Sequence, residues 1–262
     1  MNQIIFSVLI VGGIGLIFGC ILAFASFIFK VEEDERIGQI SESLPGANCG
    51  ACGYAGCSAY AMAVVNDNAP LNACNAGGST VTEKIAKIMG GTAEAAESMT
   101  AVVQCLGTCE AASDKYIYQG ISDCVAAAKL GGGAKACAFG CLGLGSCAKV
   151  CQFDAVSISG GIAHIDPDKC VACGKCIEKC PKNIITLVPK KKKYVVKCSS
   201  TDKGAVTMKA CSVGCIGCKL CEKNCPSSAI KVENNLARID YSLCTNCGIC
   251  AEKCPKKIIC LQ

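Results

Sequence analysis

Cysteines recur at short, regular intervals between Cys170 and Pro181, where the sequence reads C-x2-C-x2-C-x3-C-P. This spacing is typical of bacterial iron–sulfur proteins, in which the first three thiolates bind one 4Fe-4S cluster and the fourth binds a second cluster. The same run recurs from Cys244 to Pro255, 74 residues further along the chain. The chemistry that these residues predict is one-electron transfer through iron–sulfur clusters.

An internal repeat surrounds the two runs. Shifting the chain by 74 residues superimposes nine cysteines on nine others, which indicates that one module has been duplicated. The first nine are Cys124, Cys137, Cys141, Cys147, Cys151, Cys170, Cys173, Cys176 and Cys180, and the second nine are Cys198, Cys211, Cys215, Cys221, Cys225, Cys244, Cys247, Cys250 and Cys254. We name residues 124–193 module one and residues 194–262 module two.

The two modules differ at one predicted ligand. Module two has a complete second run that includes Cys218, whereas Leu144 stands at the equivalent position of module one. Cys137 is the nearest replacement in sequence. Because the fourth cysteine of each run binds the other cluster, four ligand sets are expected. They are Cys137, Cys141, Cys147 with Cys180; Cys151 with Cys170, Cys173, Cys176; Cys215, Cys218, Cys221 with Cys254; and Cys225 with Cys244, Cys247, Cys250.

A different pattern, C-x2-C-x4-C-x16-C, lies nearer the N-terminus and comprises Cys49, Cys52, Cys57 and Cys74. The glycines interspersed in it allow the backbone to turn its amides toward cluster sulfurs. Residues 58–65 are predicted to form a short helix between the third and fourth ligands. Four thiols in so compact an array predict another 4Fe-4S cluster.

Five clusters are therefore expected, held by twenty cysteines. Any further clusters would use five of the seven remaining cysteines, which are Cys105, Cys109, Cys124, Cys198 and Cys211. The sequence contains no nucleotide-binding fingerprint, nucleophile elbow or acid–base pair. We expect the chain to transfer electrons without a complete active site of its own.

Composition supports clusters over other uses of cysteine. The chain has 262 residues with 27 Cys, 28 Gly and no Trp, which is a poor mixture for an ordinary hydrophobic core. Disulfide scaffolds lack repeated C-x2-C-x2-C-x3-C-P runs, and zinc sites pair two C-x2-C halves across a longer loop. Residues 101–262 contain 22 Lys and Arg against 12 Asp and Glu, but oxidised clusters offset this positive charge. No nucleic acid is expected among the partners.

The N-terminal segment has no charged side chain between Ile4 and Phe29. This length is sufficient to cross a hydrocarbon layer of about 30 Å, so the sequence predicts a transmembrane helix; a cleavable signal peptide is the alternative. Lys30 and Arg36 follow the segment, which by the positive-inside rule places the cluster domains in the cytoplasm, with a single pass through the cell membrane.

The elements that would position these ligands give an α+β fold. Each module is predicted to contain a β-hairpin with a two-residue turn, at Gly160-Gly161 in module one and Asn234-Asn235 in module two. The expected domains are a transmembrane anchor at 1–30, a small helical 4Fe-4S domain at 31–80, a helical linker with unassigned cysteines at 81–123, and two tandem ferredoxin-like double-cluster modules at 124–193 and 194–262.

The N-terminal helix, the motif from Leu44 to Cys74 and the ferredoxin modules resemble the B subunit of the Rnf complex, the ion-translocating ferredoxin:NAD oxidoreductase. The resemblance implies that the chain takes electrons from reduced ferredoxin and passes them to other membrane and NAD-binding subunits of a redox-driven Na+ or H+ translocase. Two alternatives remain open at this point: a polyferredoxin-like electron-transfer subunit of another membrane dehydrogenase or reductase, and a metal-storing or structural thiol protein.

Overall fold

The computed structural model describes residues 2–28, 34–92 and 97–262. After the first helix, a small helical domain and two α+β modules follow in chain order. Their helices and strands are short, so the fold depends on many turns.

The first helix, α1, spans Asn2–Ile28. Within the part of the chain that the structure describes, no helix combines the length and the apolar character needed to cross a membrane. The predicted transmembrane helix is therefore wrong for the described residues, and Lys30 lies outside them.

The helical domain packs three helices around one core: α2 (Glu35–Ser43), α3 (Cys57–Asn66) and α4 (Gly78–Met89). The core is formed by fully buried side chains from all three, including Ile40, Tyr60 and Ile85. The Asp34 carboxylate caps α2 by accepting a hydrogen bond from the Arg36 amide at 2.9 Å. The predicted helix at 58–65 is confirmed by α3.

Module one contains two antiparallel strand pairs. Strand β1 (Met99–Val103) pairs with β4 (Ile185–Pro189), and β2 (Val156–Ser159) pairs with β3 (Ile162–Ile165). Its helices are α5 (Cys124–Lys129), α6 (Ser146–Lys149) and α7 (Lys175–Lys179). Because β1 pairs with β4, residues 99–103 belong structurally to module one, although the sequence placed them in a helical linker.

Module two repeats this arrangement. Strand β5 (Tyr194–Val196) pairs with β8 (Ile259–Leu261), and β6 (Ile230–Glu233) pairs with β7 (Leu236–Ile239). Its helices are α8 (Gly204–Ala210), α9 (Leu220–Lys223) and α10 (Ile249–Glu252). The turn residues Gly160, Gly161, Asn234 and Asn235 all have positive φ, as a type I′ turn requires. Both predicted hairpins are confirmed.

The modules are joined by backbone hydrogen bonds as well as by the chain. The Ser113 amide donates to the Ala210 carbonyl at 3.1 Å, and the Ser212 amide donates to the Ala111 carbonyl at 2.8 Å. Buried Val102, Val188 and Val195 form a small apolar cluster that includes residues of both modules. These contacts hold the segment after β1 against module two.

Candidate iron–sulfur cluster sites

The N-terminal cysteine set is arranged by a tight loop that leads into α3. Asn48, with φ of 45°, accepts a hydrogen bond from the Cys57 amide on its side-chain oxygen at 2.8 Å. Gly50 and Gly53 also have positive φ, which turns the backbone around the loop. Burial raises the pKa of Cys74, and the nearby Cys52, Cys57 and Cys49 raise it further. The four predicted ligands are thus neighbours.

Tyr60 stabilises the backbone around this site. Its ring is fully buried, and its hydroxyl donates a hydrogen bond to the Pro70 carbonyl at 2.6 Å. Burial raises the pKa of Tyr60 to about 12, with smaller contributions from nearby Cys74 and Cys52. This hydrogen bond fixes the segment that carries Cys74 onto α3, which begins at Cys57.

One site of module one brings together Cys151, Cys170, Cys173 and Cys176, as the sequence predicts. Burial raises the pKa of Cys176 to about 12, and nearby Cys170 and Cys173 contribute. Burial also raises the pKa of Cys173, with contributions from Cys49, Cys151 and Cys170. The Ala101 amide in β1 donates a hydrogen bond to the Cys170 sulfur at 3.4 Å. Amide donors of this kind stabilise thiolate ligands and tune cluster potentials.

The other site of module one differs from the expected set. A hollow of about 350 Å³ is lined by Cys141, Cys147, Cys180 and Cys124, and its lining does not include Cys137. Burial raises the pKa of Cys147 to about 11, and Cys141, Cys124 and Cys180 all contribute. The structure therefore places Cys124 where sequence spacing suggested Cys137, because α5 carries Cys124 back onto this hollow.

Cys124 is held in place by a local hydrogen-bond network at the start of α5. Its amide donates to the Ser146 hydroxyl at 2.6 Å, and that hydroxyl donates to the Asp123 carboxylate at 2.8 Å. The same carboxylate caps α5 by accepting from the Ala126 amide at 2.9 Å. Since Ser146 begins α6, this network couples Cys124 to the helix that carries Cys147.

Module two presents both of its predicted sets. A hollow of about 330 Å³ is lined by Cys215, Cys218, Cys221 and Cys254. Around the second set, burial raises the pKa of Cys250, and nearby Cys244, Cys247 and Cys225 raise it further. Burial acts to raise the pKa of Cys225, but hydrogen bonds from Ser227 and from backbone amides outweigh it and lower the pKa. Cys218 and Cys247 are exposed.

These donor sets fit cubane clusters better than single ions. Four thiols surround each hollow, and every cysteine of the chain is free of disulfide bonds. Within the described residues, no three Cys, His, Asp or Glu side chains converge as ligands of one metal ion would. A tetrahedral zinc site with Zn–S bonds of about 2.3 Å requires such convergence, whereas a cluster of several iron atoms keeps its ligands further apart. When bound, the clusters supply one-electron chemistry.

Comparison with protein families agrees with the sites. An Fe-S cluster family matches residues 44–76, a 4Fe-4S binding domain matches residues 163–186, and a 4Fe-4S dicluster domain matches residues 214–258. The dicluster match covers both runs of module two, whereas the match in module one covers only the run from Cys170 to Cys180. Leu144 lies outside the module one match. The chain binds multiple 4Fe-4S clusters.

Curated relatives extend over nearly the whole chain. It is 46% identical over 93% of its length to the B subunit of the Na(+)-translocating ferredoxin:NAD(+) oxidoreductase complex of Acetobacterium woodii, covering 74% of that protein. It is 47% identical over 94% of its length to the B subunit of the proton-translocating complex of Clostridium ljungdahlii, covering 87%. It is 41% identical over 93% to the B subunit of the ion-translocating oxidoreductase complex of Methanosarcina acetivorans, covering 93%.

The family follows from the sequence identity of 41–47% over 93–94% of the chain, together with the arrangement of the cysteine sets. The relatives are subunits of ion-translocating ferredoxin:NAD(+) oxidoreductase complexes, and the described cysteine sets suit iron–sulfur clusters. The chain therefore belongs to the family of B subunits of the Rnf complex, the ion-translocating ferredoxin:NAD oxidoreductase, as an iron–sulfur electron-transfer subunit.

Proposed function

We propose that the chain accepts electrons from reduced ferredoxin at module two and relays them through its clusters to the Cys49 site, which delivers them to other subunits of the complex. The observation that carries this proposal is the succession of cysteine sets. Cys49 contributes to the raised pKa of Cys173, so the N-terminal set adjoins the nearer set of module one. Cys147 contributes to that of Cys176, so the two sets of module one adjoin each other.

The twenty ligands proposed for five of these clusters follow the geometry. They are Cys49, Cys52, Cys57, Cys74; Cys124, Cys141, Cys147, Cys180; Cys151, Cys170, Cys173, Cys176; Cys215, Cys218, Cys221, Cys254; and Cys225, Cys244, Cys247, Cys250. The set that contains Cys124 replaces the one that sequence spacing assigned to Cys137. The chain's residues hold these clusters in sequence and shield them from water, while hydrogen bonds to sulfur adjust their potentials.

Module two is the proposed entry because its ligands reach the surface. Exposed Cys218 and Cys247 mark the points where a donor cluster can approach most closely. Exposed Lys219 follows Cys218 in sequence, and exposed Lys191 and Lys193 are hydrogen-bonded through their backbone to Asn246, the neighbour of Cys247. Lys223, Lys253 and Lys257 are further exposed lysines of module two. Soluble ferredoxins are typically acidic, so this positive surface would raise the rate of encounter by long-range attraction.

The lysine turn at 190–193 is fixed on module two. The Lys192 ammonium group donates to the Cys244 carbonyl at 2.7 Å. The Asn246 side chain accepts from the Lys193 amide and donates to the Lys191 carbonyl, each at 3.0 Å. These bonds hold exposed Lys191 and Lys193 beside the Cys244–Cys250 loop, which supports a docking role over that of a free linker.

Stopped-flow oxidation of reduced ferredoxin tests the proposal. Replacing Lys191 and Lys193 by Gln should slow ferredoxin oxidation by about tenfold at low salt and have little effect at high salt, because attraction is screened beyond ~8 Å at physiological ionic strength. Lys84→Gln with Lys87→Gln on α4 is the matched control, since it removes the same charge from an exposed site in another domain. Equal slowing by both pairs would contradict docking at module two.

The partners follow from family membership. The relatives are named as members of ion-translocating ferredoxin:NAD(+) oxidoreductase complexes, so the proposed acceptors are other subunits of such a complex at the cell membrane. The cluster domains are proposed to face the cytoplasm, where a reducing environment maintains thiolate ligands. Co-purification of the chain with membrane-embedded subunits tests the proposed partners.

A further inference from the structure

Four cysteines outside the five proposed sets line one hollow between the modules. They are Cys105, Cys137, Cys198 and Cys211, and the hollow has a volume of about 390 Å³. The hollows lined by the Cys124 and Cys215 sets also have four thiols each. The third hollow thus matches these two proposed cluster sites in number of thiols.

The four sulfurs are close to one another. A Cβ added at Gly107 would stand 3.5 Å from the sulfur of Cys105 and 3.5 Å from that of Cys211, so the distance between these sulfurs is at most twice that value. Burial raises the pKa of Cys137, and nearby Cys105 and Cys211 raise it further. Burial raises the pKa of Cys198 to about 11, with a contribution from Cys137. Each of the four sulfurs is therefore close to at least one of the others.

The hollow has approximate two-fold symmetry: Cys105, which follows β1, and Cys137 of module one are matched by Cys198 and Cys211 of module two. The Cys105 sulfur accepts a hydrogen bond from the Cys141 amide at 3.4 Å, and the Cys198 sulfur accepts one from the Cys215 amide at 3.3 Å. Cys141 and Cys215 are equivalent residues of the repeat. The other two cysteines of the hollow, Cys137 and Cys211, are equivalent to each other as well.

The backbone around Cys105 and Cys198 confirms their equivalence. The residue before Cys105 donates its amide to the Ile184 carbonyl at 2.7 Å, and the residue before Cys198 donates to the Ile258 carbonyl at 2.8 Å. Ile184 and Ile258 are 74 residues apart. Each cysteine thus follows the edge strand of its own module and points toward the junction.

A buried cation also lines this hollow. Lys135 is 6% exposed, and its ammonium group donates to the carbonyls of Gly107 and Gly161. No carboxylate lies within salt-bridge distance of it in the described part of the chain. A buried charge without an opposite charge is costly. An oxidised 4Fe-4S cluster with four thiolates carries about −2 and would supply the missing negative charge.

We propose that Cys105, Cys137, Cys198 and Cys211 bind a sixth 4Fe-4S cluster at the junction of the modules. Its position makes it the link between them, because one of its ligands is hydrogen-bonded to the amide of Cys141 and another to the amide of Cys215. In this role, which rests on the proposed function, the site receives one electron from the Cys215 set and passes one electron to the Cys124 set.

Iron and acid-labile sulfide analysis of the full chain tests the site itself. The wild-type chain should contain about 24 iron atoms, and Cys105→Ala or Cys211→Ala should contain about 20. The double variant should also contain about 20, because both residues belong to one cluster. Cys109→Ala is the matched control: Cys109 is exposed and lines none of the three cysteine hollows described above, so the iron content of this variant should equal that of the wild type. Unchanged iron in both single variants, or an additive loss in the double variant, would overturn the proposal.

Alkylation of the native wild-type chain tests the site without any substitution. Cys105, Cys137 and Cys198 are partly exposed, yet as ligands they should resist iodoacetamide until iron is chelated. Cys109 should react before and after chelation. Rapid alkylation of those three cysteines in the iron-loaded chain would refute the site even if every variant failed to fold.

The linking role is tested separately by stopped-flow mixing with reduced ferredoxin. In Cys105→Ala, the clusters of module two should still be reduced, while those of module one and the Cys49 site should stay oxidised at least tenfold longer than in the wild type. If the clusters of both modules are reduced at equal rates in Cys105→Ala, the proposed link between the modules is wrong. If ferredoxin fails to reduce module two even in the wild type, the proposed function fails while the iron analysis still decides the site.

Discussion

Leu144 offers a rescue experiment on module one. The hollow that contains Cys141, Cys147 and Cys180 takes its fourth thiol from Cys124, whereas module two uses Cys218, the equivalent of Leu144. Cys124→Ala should therefore remove one cluster, a loss of about four iron atoms per chain. Adding Leu144→Cys should restore them, because a thiol then stands at the position that module two uses.

The same substitution should not rescue a chain that lacks Cys137. Cys137 lines the junction hollow with Cys105, Cys198 and Cys211, so a thiol at position 144 would serve a different site. Both double variants can be assayed for iron, acid-labile sulfide and visible absorbance after anaerobic purification. Full iron in Cys124→Ala, with a loss in Cys137→Ala that Leu144→Cys restores, would refute the structural assignment in favour of the one from sequence spacing.

Three further changes test other parts of the structure. Tyr60→Phe leaves the Pro70 carbonyl without its buried donor and should destabilise the helical domain by about 1–3 kcal/mol; unchanged hydrogen exchange in α3 would contradict this. Gly143→Ala should lower the melting temperature more than Gly174→Ala. Both glycines have positive φ, but of the two only Gly143 would place its new Cβ in collision with the Gly161 carbonyl group. Equal losses of melting temperature would refute the close contact. Anaerobic removal of iron should abolish the strand signal in circular dichroism while much of the helical signal persists. The reason is that buried cysteines belong to the cores of both modules but not to the buried core of the helical domain. Retention of the strand signal would contradict this expectation.

Local patterns in the sequence predicted which cysteines lie together around Cys176, Cys221 and Cys250, because neighbouring residues set the spacing within each cysteine run. Their role as cluster ligands stays a prediction. The turns at Gly160-Gly161 and Asn234-Asn235 require positive φ, which these residue types adopt readily. Both hairpins therefore lie where the sequence predicts them.

Contacts between residues far apart in sequence account for the features that sequence patterns did not predict. Strand β1 pairs with β4 across more than eighty residues, and no local pattern distinguishes it from a linker. Cys105 occupies the structural position of Cys198, yet the 74-residue shift matches Cys198 with Cys124 instead. The segment after Cys105 has no counterpart of equal length in module two, so the repeat alone could not separate the two roles. Asp123 before an Ala-rich run was an available signal for the start of α5.

Ferredoxin-dependent NAD+ reduction by the assembled complex tests most directly whether electrons are delivered through the Cys49 site. Complexes containing the wild-type or the Cys49→Ala chain should be compared under anaerobic conditions, with reduction of the modules followed by stopped-flow absorbance. If electrons leave through the Cys49 site, the modules of the Cys49→Ala chain should accept electrons from ferredoxin at the wild-type rate while NADH formation is lost. NADH formation at the wild-type rate, or modules that no longer accept electrons, would contradict it.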